Sequence, residues 1–191
     1  MAMRAGHMPR LSWTWKTTAN PTPMAQHHRL VRVRRLATDH TIPLRERVAG
    51  LLVLLYAQLI SRIARMTTHD VITHHDDVLL NLGESPTPAP ALLDDLLTEH
   101  TTSTEANHES NWLFPGRQPG QPLQHRSLGD ALRRHEIPIQ TGRTSALRHL
   151  VLQAPAPVVA TMLGFHDKHT TRVLTETGGA WNRYVPSHHN Q

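Results

Sequence analysis

Apolar residues recur at helical spacing after Thr41-Ile42-Pro43: Val48, Leu51, Leu52, Leu55, Leu59 and Ile63 fall on one stripe. Pro43 suits a first helical turn, because its fixed φ matches the helix and an N–H there would have no partner. The stripe predicts one helix over 43–63, the strongest core element of the chain. Ahead of it, MAQHHRLVRVRRLA (24–37) reads as a short basic helix. Val71-Ile72-Thr73 and Val78-Leu79-Leu80 flank a polar HHDD, which predicts a small hairpin. ESPTPAP is a Pro-rich connector, and a helix over 91–100 is entered from Pro90. Residues 101–111 are polar and read as loop. Trp112-Leu113-Phe114 is a short buried run closed by Pro115-Gly116. Further helices are predicted over 123–137, with Ser127 as cap, over 144–153, over 158–163 after Pro155 and Pro157, and over 168–177 before Gly178-Gly179. A short piece over 181–185 follows. The pattern is mainly α with a small β-hairpin or three-stranded edge sheet, and no segment repeats.

Length and composition refine this picture. The 191 residues suit one domain with a modest core. Residues 1–23 show no periodicity and read as a disordered or loosely docked N-terminus, with Trp13 and Trp15 as surface contacts. Residues 24–185 form the folded unit, and 186–191 a tail. The absence of cysteine excludes a disulfide or a thiolate zinc site and fits a reducing cytoplasm. The longest apolar run, 48–60, is too short to span a bilayer and is flanked by Arg45, Glu46, Arg47 and Arg62. No cleavable signal pattern opens the chain. No membrane partner is expected, and the expected location is cytoplasmic.

Charge points to a polyanionic partner. Net charge is +5, and 18 of the 20 basic residues are arginine. Arginine's planar fork binds two phosphate oxygens at once, although a GC-rich genome also favours its codons. Residues 1–50 carry nine basic against two acidic side chains, 51–110 two against nine, and 111–191 nine against four. Basic ends around an acidic middle predict one face that meets a polyanion.

The candidate chemistry lies towards the C-terminus. LGFHDKHTTRVLTETGGAWNRY sets His166 behind a Leu-Gly step and delivers Tyr184 later, while GRTSALRH upstream supplies Arg143 and Arg148. Arginines, a histidine and a tyrosine can cut and rejoin a phosphodiester without a metal ion. The cations hold the non-bridging oxygens, the histidine donates a hydrogen bond or moves a proton, and the tyrosine oxygen attacks. The sixteen histidines also raise a metal site, with His74, His75, Asp76 and Asp77 as the nearest set. Adjacent residues rarely close a first coordination shell, so a solvated turn is the preferred reading, with no metal and no cofactor.

The order of these landmarks, over about residues 43–185, resembles the catalytic domain of tyrosine recombinases, the phage-integrase family. LLVLLYAQLISRIARMTTHDV is similar to the first-arginine segment and hairpin, WLFPG to the segment before the second basic box, and ALRH to the His-x-x-Arg box. QAPAPVVA and GGAWNRY are similar to strings of a divergent actinobacterial integrase-like group. The resemblance implies a DNA breaking-rejoining core in which Tyr184 forms a phosphotyrosine intermediate. Arg62 and either Arg143 or Arg148 would hold the phosphate, with His166 assisting. Implied too are double-stranded DNA as partner, a nucleoid-associated location, a role in the DNA integration of a mobile element, and either a homo-oligomer on DNA or a partner supplying the N-terminal DNA-clamping domain.

The chain departs from the family pattern at four places. The hairpin has no lysine, since Lys16 and Lys168 are the only two. Ser145 stands at the box histidine. Leu59 falls where the first arginine belongs, with Arg62 one helical turn later. Tyr184 comes later after His166 than the family spacing. The alternative is therefore a catalytically inactive DNA-binding remnant of the same fold.

Overall fold

The computed structural model describes residues 22–74, 77–107 and 110–178. In chain order it forms α1 (Gln26–Thr38), α2 (Leu44–Tyr56), the one-turn α3 (Ile60–Ile63), β1 (Val71–His74), β2 (Asp77–Leu80), β3 (Thr87–Pro88), α4 (Ala91–Asn107), α5 (His125–Arg134), α6 (Ile139–Gln153), α7 (Ala156–Leu163) and α8 (Asp167–Thr177). The three strands make one antiparallel sheet in the order β1-β2-β3. Val71 faces Leu80 and His74 faces Asp77 in the hairpin, while Leu80 faces Thr87 at the short third strand. The mainly α architecture with a small sheet is as the sequence pattern predicts.

The apolar helix α2 runs through the centre, with α1, α4 and α6 packed against it. Val48, Ala49 and Leu51 to Leu54 lose all solvent exposure there. A helix buried on every side cannot leave its ends to water, so its terminal carbonyls need protein donors. Arginines supply them. Arg29 Nη1 donates to Leu54 O at 2.7 Å, and Arg143 Nε donates to Ala57 O at 2.8 Å. Arg47 does the same for the end of α1, through Nε to Leu36 O at 2.8 Å and Nη2 to Ala37 O. A cation at a helix C-terminus also meets the negative end of the helix dipole.

These long-range caps explain the main difference from the predicted elements. The stripe over 43–63 predicts one helix, but the chain breaks at Ala57, whose φ of 56° is left-handed, and restarts at Ile60. The expected loop over 101–111 is helical to Asn107, because buried His100 and Thr104 continue the inner face of α4. The helix expected over 123–137 is the shorter α5, with Gln124 at its N-cap and Ser127 inside its first turn. The helix expected over 144–153 begins five residues earlier, at Ile139 after Pro138. The remaining helices lie within two residues of expectation. The piece over 181–185, and Trp13 and Trp15, lie outside the described residues.

His100 is 6% exposed and sits 5.2 Å, ring centre to ring centre, from Phe114. Burial, opposed by a bond to the Leu113 backbone, pushes its pKa down to about 4. The folded protein thus binds fewer protons than the unfolded chain between pH 6.5 and 4, and stability falls as pH drops through that window. The loss from this group is at most about 3 kcal/mol. Denaturant titrations at pH 7 and pH 4.5 are expected to show a smaller acid loss in His100→Gln than in the wild type. Equal losses would show that His100 is not the buried neutral histidine described.

Candidate nucleic-acid interface

Arg62 projects from α3 towards two other segments. Its Nη1 donates to Leu163 O at 2.9 Å and Gly164 O at 3.4 Å, and its Nη2 donates to Leu82 O. One guanidinium therefore joins α3, the exit of β2 and the α7–α8 turn. Gln58 Nε2 reaches the same Leu163 oxygen at 3.2 Å. Gly164 is left-handed, with φ 65°, and a Cβ there would collide with the Arg62 guanidinium and sit 2.7 Å from Leu82 O. Three donations leave Arg62 at most two of its five N–H groups for anything else.

The other expected site residues are placed as follows. Arg143 commits its Nε to Ala57 O, while its terminal nitrogens make no hydrogen bond among the described residues. Burial lowers its pKa. Arg148 lies five residues further along α6, about 140° around the helix from Arg143, so the two do not share one face. Its Nε is buried and has no hydrogen-bond partner among the described residues. Ser145, at the box histidine position, donates to Met24 O at 2.9 Å and anchors the start of the described chain. His166 is exposed at the N-cap of α8, where its Nδ1 accepts from Lys168 N at 3.3 Å. Leu59 is 46% exposed at the N-cap of α3. Tyr184 lies outside the described residues.

Arg62 and Arg143 flank the α2–α3 break, through Ala57, Gln58 and Leu163. His169, a residue that the motif reading passes over, feels the charge of Arg143. Burial lowers its pKa, the positive charges of Arg172 and Arg143 lower it further, and Glu176 opposes them. Its signal in the sequence is its place three residues after His166, on the same helix face.

A wide, open cavity of about 1310 Å³ adjoins this junction. Arg45, Arg62, Arg65, Arg117 and His125 line it, and Asp70 is the one carboxylate among its lining residues. That carboxylate is already engaged, accepting from Thr67 N at 2.7 Å and Thr67 Oγ1 at 3.0 Å. Arg45 is paired with Glu46 at 2.9 Å. Arg65 and Arg117 are exposed and form no ion pair among the described residues. Motif reading does not single out Arg45, Arg65, Arg117 or His125. Arg65 had one local signal, the three-residue spacing that puts it beside Arg62. Arg117 and His125 come together with them only through the fold. Among the described residues no group of three or more His, Asp or Glu is placed to hold a metal ion. His75 and Asp76 of the polar HHDD lie outside them. No described helix is long and apolar enough to cross a membrane.

No protein-family model and no curated protein matches the chain. Solved structures do. The XerH site-specific recombinase bound to difH substrate aligns with a TM-score of 0.56 at 16% identity, covering 85% of this chain and 55% of that one. XerA recombinase aligns with a TM-score of 0.59 at 10% identity, over 85% and 64%. Residues 75–356 of lambda integrase, as a dimer on a COC′ core site, align with a TM-score of 0.52 at 13% identity, over 92% and 66%. The chain thus has the fold of the tyrosine-recombinase catalytic domain and spans between half and two thirds of the length of these chains.

Because Arg62 joins three segments at once, its removal takes a charged donor from Leu82, Leu163 and Gly164, of which Leu163 O keeps Gln58 Nε2. Charged hydrogen bonds contribute about 1.5–3 kcal/mol each. Arg62→Ala is expected to lower unfolding free energy by about 3 kcal/mol and the melting temperature by about 6–12 °C. A thermal melt within 2 °C of wild type would show that the guanidinium is free rather than committed.

Proposed function

We propose that this chain binds double-stranded DNA along the arginine-lined cavity and does not cut it. The observation that carries the binding is the cavity itself. Four arginines and a histidine face one open cleft, and its single carboxylate is internally satisfied. Such a cleft focuses positive potential, and the counterions that phosphates release on binding it favour association. The fold it sits in is one that the XerH and lambda integrase structures use on DNA.

The reading against cleavage rests on Arg62. A phosphate-holding arginine must aim free N–H groups at the oxygens before the reaction. Arg62 instead spends three of its five on Leu82, Leu163 and Gly164, and the position one turn earlier is the apolar Leu59. A second reading, a strand transferase with Tyr184 as nucleophile and His166 assisting, is favoured by one observation. The terminal nitrogens of Arg143 make no hydrogen bond among the described residues, and the charge of Arg143 lowers the His169 pKa. Arg148 is the alternative to Arg143 as second phosphate arginine in that reading, and the two lie on different faces of α6.

Duplex binding measured across salt concentrations tests the proposal. Affinity is expected to fall linearly with salt on logarithmic axes. Arg65→Ala/Arg117→Ala should lower that slope by about two, since each phosphate contact contributes about 0.9. Absence of salt-dependent binding, or an unchanged slope in the double variant, would overturn the assignment.

A further inference from the structure

We infer that the turn over residues 116–121 reads base edges, so that this chain distinguishes DNA sequences rather than gripping phosphates alone. This rests on the DNA-binding reading above. Arg117, Gln118, Pro119, Gly120 and Gln121 are all exposed. The turn nevertheless has a fixed shape. Pro115 and Pro122 pair as an antiparallel bridge, and Gly116 N donates to Gln121 O at 2.8 Å. At the tip the Trp112 indole N–H donates to Gly120 O at 2.9 Å. Gly116 permits the close approach of the two arms, because a Cβ there would sit 2.7 Å from Pro122 O. Leu113 and Phe114, which precede the turn, are fully buried and root it in the core.

The chemistry displayed on this turn differs from that of the rest of the cavity. Gln118 and Gln121, with Gln124 just beyond, line the same cleft as Arg117. None of these carboxamides makes a hydrogen bond among the described residues. An uncharged amide adds nothing to long-range attraction for phosphate. It does present a donor and an acceptor side by side, which matches N6 and N7 of adenine in the major groove. The major groove also admits a two-stranded element of this kind. A pre-shaped turn loses little conformational freedom on docking, so its hydrogen bonds translate into discrimination instead of into ordering the loop.

The test uses the full chain. Selection from a randomised duplex pool, followed by titration of the enriched and a scrambled duplex, is run on wild type and on Gln118→Ala/Gln121→Ala. Wild type is expected to enrich a sequence with at least one fixed A·T pair and to prefer it about tenfold or more over the scrambled duplex. The double variant should bind the scrambled duplex with wild-type affinity and salt slope while losing that preference. No enrichment, or a preference kept by the variant, overturns the inference and leaves DNA binding intact. Failure of wild type to bind any duplex in a salt-dependent way removes the DNA-binding reading, and this inference with it.

Discussion

Three helices in this fold, α1, α2 and α7, are closed at their C-termini by arginines that arrive from elsewhere in the chain. Arg47 closes α1, Arg29 and Arg143 close α2, and Arg62 closes α7. The constraint behind this is general. The central helix is enclosed by its neighbours, so its terminal carbonyls have no water to accept from. A guanidinium satisfies several carbonyls at once, and its charge complements the helix dipole. The consequence is local order where it matters most. The α2–α3 break, the exit of β2 and the α7–α8 turn are held in one place by Arg62 and Arg143.

That arrangement divides the arginines into two populations. Those pointing inward spend their donors on the protein's own backbone. Arg65 and Arg117, exposed on the surface of the large cavity, make no ion pair among the described residues. A high arginine content is therefore not a count of phosphate contacts. The α3 and α7–α8 segments meet in this fold, and Arg62 bonds the one to the other. Phosphoryl transfer needs free cations around a phosphate, and there Arg62 keeps at most two of its five N–H groups, while the terminal nitrogens of Arg143 make no hydrogen bond among the described residues.

Much of the fold was legible in the chain. The apolar stripe located the central helix, the β-branched runs located the hairpin, and the prolines and glycines set most of the later helix ends. The break at Ala57 was not legible, because no Gly or Pro marks it and its stabilising partners lie 28 residues earlier and 86 residues later. The extension of α4 through TTSTEAN was also hidden. Threonine and asparagine are poor helix formers, and only the packing of His100 and Thr104 against the core overrides that preference. For the site, residue type announced an affinity for anions but not which oxygen each arginine would meet. Arg62 has the same sequence whether it grips a phosphate or a carbonyl, and only its surroundings in the fold separate the two. Arg117 and His125 lie far from Arg65 in sequence, and nothing local links them.

The commitment of Arg62 to backbone carbonyls is tested most directly by covalent trapping on a nicked suicide duplex, with wild type and Tyr184→Phe side by side. Both proteins are expected to shift the duplex in a native gel and to run free of it after denaturation. A denaturation-resistant protein–DNA adduct formed by wild type and abolished in Tyr184→Phe would contradict the proposal of a non-cleaving DNA-binding domain.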